Sequence, residues 1–100
     1  MNRRENDLIF EAYLDANVPT KSVSALRPLI VELESTPFAG TLGQFYDKLS
    51  DYVRHTHGVA GSHGGISVMK SIGALRRSNA PQEAALEYLK KAAGYFEDTH

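Results

Sequence analysis

The sequence predicts an all-α fold: a compact antiparallel bundle of four to five short helices in one domain spanning residues 1–100. Three observations predict it. Apolar residues recur every three to four positions along five separate stretches, the spacing that lays them on one face of a helix. Pro and Gly interrupt the chain between those stretches. The interruptions are short, and short connections make neighbouring amphipathic helices run antiparallel.

The first helix is expected from about Glu5 to Asp15, with Ile9/Tyr13 and Phe10/Leu14 as i,i+4 pairs on one side. Asp7, Glu11 and Asp15 repeat at the same interval as an acidic stripe, read as a solvated face. Like charges so spaced weaken a lone helix, so tertiary packing must hold it. Asn17 and Pro19 end it. The second helix is expected from about Leu26 to Glu34. Pro28 lacks an N–H and fits only its first turn, and Leu26, Leu29, Ile30 and Leu33 then share a face. Leu29–Val31 also admits a short strand.

The third helix has the clearest signature. Thr41 and Gln44 form a capping box. Leu42, Phe45, Tyr46, Leu49, Tyr52 and Val53 follow as one stripe, ending near His55. The fourth is expected over about Ser67 to Arg77, with Val68, Met69, Ile72 and Leu75 inward. Gly73 lowers helix propensity there by about 1 kcal/mol against Ala, and close packing against another helix is the expected reason. The fifth begins at Asn79, with Gln82 three residues on as a second capping box. Ala85, Leu89, Ala92 and Phe96 line its inner face, Leu86, Tyr88 and Tyr95 widen it, and Gly94 kinks or frays its end. The five tyrosines read as core edges whose hydroxyls reach water.

Composition narrows the function classes. With 42% hydrophobic and 23% charged residues the chain is globular rather than disordered. A domain this small has roughly 5–15 kcal/mol of stability, little to spare for a large internal cofactor cavity. No cofactor is called for, and a surface or interface site is expected. The formal net charge of −1 gives no global basic field for nucleic acid. The absence of cysteine excludes disulfides, thiolate metal sites and Cys nucleophiles. No apolar run approaches the roughly 20 residues of a membrane span, and the polar start lacks signal-peptide features, so a cytoplasmic protein is expected.

Residues Arg54–Gly65 are the stretch most suited to chemistry. They hold three of the four histidines and four glycines. Imidazole transfers protons near neutral pH and binds transition metals. His55, His57 and His63, with Asp51 one turn back, could form a nitrogen-rich shell, but the spacing matches no zinc signature and no metal is assigned. Arg54, His57 and His63 are the candidate catalytic residues: a metal-independent RNase needs a base for the 2′-hydroxyl proton and a cation to steady the phosphorane charge. His55, Gly64, Gly65, Lys70 and Arg76 are candidate ligand-binding residues. A Gly-Gly turn leading into a helix presents free N–H groups to an anion, and Lys70, Arg76 and Arg77 would join Arg54 in a local basic patch. The competing reading is a solvated connector whose histidines favour the third helix's C-terminal dipole.

Tyr52-Val53-Arg54-His55, Ser62-His63-Gly64-Gly65, Ile72-Gly73-Ala74-Leu75-Arg76 and the amphipathic Ala84–Phe96 together resemble the C-terminal domain of abortive-infection proteins, a helical domain related to HEPN RNases. The resemblance covers residues 49–96 and implies a helical fold with RNase-type use of Arg54, His57 and His63. The Leu-Arg segment here follows the His-Gly turn, whereas that family places it before. Glu5–Tyr13 is similar to the opening of short accessory proteins of tailed phages, which implies a viral setting.

The leading expectation is a small helical binding or regulatory module in phage–host biology. It would act through a protein partner or a small anionic ligand, with homo-oligomerisation and nucleic acid left open. The alternatives are an RNase or other hydrolase, and a ligand or metal binder, both centred on the Arg54–Gly65 loop.

Overall fold

The computed structural model describes residues 3–19, 23–57 and 63–95; for residues 3–9, 57 and 63–66 it describes the backbone alone. These residues form five α-helices: α1 (Arg3–Ala16), α2 (Arg27–Ser35), α3 (Leu42–His57), α4 (His63–Arg77) and α5 (Gln82–Ala92). A 3-10 turn, Ser24–Leu26, leads directly into α2. Strands are absent among the described residues, so Leu29–Val31 is helical and the strand alternative falls.

The α2 stripe behaves as its spacing dictates. Leu26, Leu29, Ile30 and Leu33 are all buried, and Val31 points to solvent. Pro28 occupies the first turn, where its missing N–H costs nothing. At the start of α3, Gln44 N–H donates to Thr41 Oγ1 at 3.1 Å and Thr41 N–H donates to Gln44 Oε1 at 3.0 Å. That reciprocal pair satisfies two donors that the helix leaves without carbonyl partners. Just upstream, the Phe38 ring folds back to Phe45, with centroids 6.0 Å apart. A Cβ at Gly40 would stand 2.5 Å from Phe38 Cε2, so glycine at this position lets the aromatic pair form.

Three boundaries differ from expectation. α4 begins at His63, not near Ser67, and Gly64 and Gly65 are its first turn rather than a turn before it. Propensity is a weak prior that packing overrides. α5 begins at Gln82, and Asn79 does not cap it. Asn79 instead has φ 54° and terminates α4: Ala80 N–H reaches back to the Leu75 carbonyl at 3.0 Å and Asn79 N–H to Arg76 at 3.1 Å. Gln82 Nε2 donates to the Phe38 carbonyl at 3.4 Å. Gly94 neither kinks nor frays α5. With φ 81° it stops the helix by the same device, Tyr95 N–H donating to the Lys90 carbonyl at 3.0 Å. Phe96 lies outside the described residues.

One core cluster joins α2, α3, α4 and α5, with Leu26, Leu49, Val53, Val68, Leu75, Ala85 and Leu89 fully buried. Phe10 and Leu14 of α1 pack onto its edge. Burying each large aliphatic side chain contributes about 1.5–3 kcal/mol.

Three tyrosines fasten connections to this core. Tyr46 Oη donates to the Ala80 carbonyl, Tyr52 Oη to Ala25 at 2.7 Å, and Tyr88 Oη to Asn17 at 2.9 Å. These hydroxyls therefore meet backbone carbonyls rather than water, because each segment they hold would otherwise present an unpaired carbonyl. Burial pushes the Tyr46 phenol up to about 12. The C-terminal end of α5 is covered from the other side. Val23 N–H donates to the Ala92 carbonyl at 2.8 Å, and Arg27 Nη2 donates to the Ala93 carbonyl at 3.2 Å while Arg27 Cζ lies 5.2 Å from the Tyr95 ring centroid. A cation on those last carbonyls also meets the negative end of the helix dipole.

Candidate functional site

Arg54 and His55 occupy the last turns of α3, both exposed. His55 Nδ1 lies 2.7 Å from the Asp51 carbonyl, a contact in which the ring N–H donates to a carbonyl near the helix end. This matches the expectation that a histidine here serves the C-terminus of α3. Arg54 Nη1 stands 3.7 Å from Asp51 Oδ1, with the two side chains 60% and 64% exposed. Such an exposed i,i+3 pair contributes at most about 1 kcal/mol. His57 is the last residue of α3 and His63 the first of α4, and their side chains lie outside the described residues, as do residues 58–62 between them. Among the described residues no three His, Asp or Glu side chains converge as a metal shell would require.

Gly64 and Gly65 contribute first-turn backbone N–H groups of α4, and Lys70 is exposed further along that helix. Arg76 lies in the last turn of α4, paired with Asp47 of α3. From His63 to Arg76 the helix axis rises about 20 Å, so Arg76 and the Gly-Gly start belong to separate parts of the surface. The expected single patch therefore divides, with Arg76 held in an α3–α4 ion pair.

A second region was not singled out by the sequence. α1 and α5 wall a groove of about 1150 Å³, open to solvent. Phe10, Glu11, Leu14 and Asp15 face it from α1. Glu83, Ala84, Glu87, Tyr88 and Lys91 face it from α5. These positions repeat at i, i+1, i+4 and i+5 in each helix, so each helix gives one continuous stripe. The Ser78–Pro81 turn also lines it, positioned by the left-handed Asn79.

The groove floor is apolar and its rim acidic. Phe10, Leu14, Ala84 and the Tyr88 ring supply the floor, and Glu11, Asp15, Glu83 and Glu87 supply the rim. Lys91 Nζ pairs with Asp15 Oδ1 at 3.1 Å, tying the two walls together. Glu11, Glu83 and Glu87 form no ion pair among the described residues. Tyr88 is 2% exposed, and burial raises its phenol's pKa; the Ser71 hydroxyl nearby opposes this and Tyr13 adds a smaller rise. Ser71 Oγ is fully buried and makes no hydrogen bond among the described residues.

The sequence did carry a signal for this region. Glu11/Asp15 and Glu83/Glu87 are each like-charged i,i+4 pairs, an arrangement that works against the helix bearing it. Elsewhere, among the described residues, no helix is long and apolar enough to cross a membrane. Compared with protein-family models, with curated proteins and with solved structures, the chain matches none of them.

Proposed function

We propose that this protein is a small helical binding module that engages a protein segment in the groove between α1 and α5. The observation that supports it is the groove itself: an apolar floor framed by polar groups, open rather than enclosed. Its volume of about 1150 Å³ exceeds the roughly 300–1,000 Å³ typical of small-ligand pockets. Grooves between two helices commonly receive the apolar face of a third. The floor needs no turnover chemistry to be useful, and the groups best suited to proton transfer, at the α3–α4 junction, lie elsewhere in the fold. The N-terminal resemblance to tailed-phage accessory proteins sets the proposal in phage–host biology.

The experiment is a selection of random peptides on the immobilised protein, counter-selected on Ala84→Trp. Ala84 is half-buried in the floor, and an indole there would obstruct the middle of the groove. Peptides that bind the native chain and are lost on the variant support the module. Peptides that bind both equally, or no enrichment at all, refute it.

A further inference from the structure

We propose that the groove receives a basic amphipathic helix, about two turns long, from a partner protein. The proposal rests on the groove being the binding site and goes further by assigning the partner's chemistry.

Charge is the first argument. Among the described residues, four carboxylates line the groove against the one ammonium of Lys91, which is already engaged by Asp15. The described lining residues thus carry three net negative charges, while the whole chain carries a formal net charge of −1. Eight of the twelve carboxylate residues lie outside this lining, so what sets the groove apart is its excess of acid over base. Glu11/Asp15 and Glu83/Glu87 each place like charges one turn apart on facing walls. A cation lying between the walls relieves both repulsions at once, and potential complementarity of this kind selects partners.

Dimensions are the second. From Glu83 to Lys91 the α5 wall rises about 12 Å, or two helical turns. Ala84 is the smallest side chain facing the groove from α5 and leaves room beside the Tyr88 ring for an apolar anchor. An occupant therefore needs apolar residues at i and i+3 or i+4, flanked by Lys or Arg that reach the rim. The rim repels nucleic-acid phosphates, anionic lipid headgroups and acidic peptides alike.

The test is fluorescence anisotropy with three labelled amphipathic helical peptides that share one leucine stripe and carry Lys, Gln or Glu on the polar face. The proteins are the native chain, the Glu83→Gln/Glu87→Gln double variant and Ala84→Trp, each checked for folding by circular dichroism. The Lys peptide is expected to bind the native chain, and to lose on the order of tenfold in affinity to the double variant and to added salt. Ala84→Trp abolishes its binding, and the Glu peptide does not bind. If the Gln peptide binds as tightly as the Lys peptide and Ala84→Trp still blocks it, the groove stands and the basic partner is overturned. If no peptide binds, or Ala84→Trp changes nothing, both readings fall together.

Discussion

The Tyr88 hydroxyl donates to the Asn17 carbonyl across 71 positions of sequence, at 2.9 Å. It joins the exit of α1 to the middle of α5, and with Asp15–Lys91 it fixes how far apart the groove walls stand. Tyr88→Phe keeps the buried ring and removes this donor. The expected cost is about 1–2 kcal/mol, the penalty of a carbonyl left without its partner. Amide hydrogen exchange should show lost protection in α1 before α3 or α4. Uniform loss across all helices would mean that the bond serves the whole core instead.

Tyr46 links stability to alkaline pH. Its phenol is pushed from 10.0 to about 12 by burial, so the folded state holds a proton that the unfolded state releases first. The contribution is complete below pH 10 and is lost as pH rises toward 12. The two-unit difference corresponds to about 3 kcal/mol. Urea unfolding across this range should show a steep decline that Tyr46→Phe flattens. That variant starts lower, because the Ala80 carbonyl loses its donor. An equally steep decline in the variant would assign the effect to another group.

Gly73→Ala should raise stability. A Cβ at Gly73 meets only Arg77 Nη1, at 3.3 Å, the tip of an exposed side chain that can move aside. The helix gains about 0.5–1 kcal/mol, which corresponds to a melting rise of roughly 3–6 °C. The close helix contact expected from the sequence does not exist at this position. A lowered melting temperature would show that Arg77 has no alternative position.

Ser71→Ala should also stabilise. The Ser71 hydroxyl is fully buried without a hydrogen-bond partner among the described residues, a state that costs about 1–3 kcal/mol. Thermal melting checks it. A fall of more than a few degrees would indicate that the hydroxyl is satisfied, for instance through the Tyr88 phenol beside it.

What was legible in the sequence depended on how far apart the interacting groups lie. The Thr41–Gln44 box could be read because both partners sit within one helical turn and the backbone supplies the rest. The Leu26, Leu29, Ile30, Leu33 stripe was equally local. Asn79-Ala80-Pro81-Gln82 shows where local reading fails. The same four residues fit a helix start or a helix stop, and the Leu75 carbonyl decides for the stop by taking the Ala80 N–H. Three of the five tyrosine hydroxyls, those of Tyr46, Tyr52 and Tyr88, were not legible as ties because their acceptors lie 27 to 71 positions away. The groove escaped for the same reason. Each acidic pair alone looks like a solvated face, and only the placement of α1 across the groove from α5 turns two such faces toward one another. At the α3–α4 junction, the sequence identified the residue types suited to chemistry, and the structure describes Arg54 and His55 as exposed and locally engaged.

The long-range polar ties of α1 among the described residues, through Asp15 and Asn17, lie at its C-terminal end, while Phe10 holds the other side of the groove by apolar contact alone. Directional bonds fix a spacing, and apolar contacts allow sliding. The walls therefore hold their spacing most firmly beside Asp15 and Tyr88. A partner helix of the proposed kind would be measured most strictly beside Asp15 and Tyr88, where two directional bonds join the walls. A set of such partners would share one invariant residue at that end.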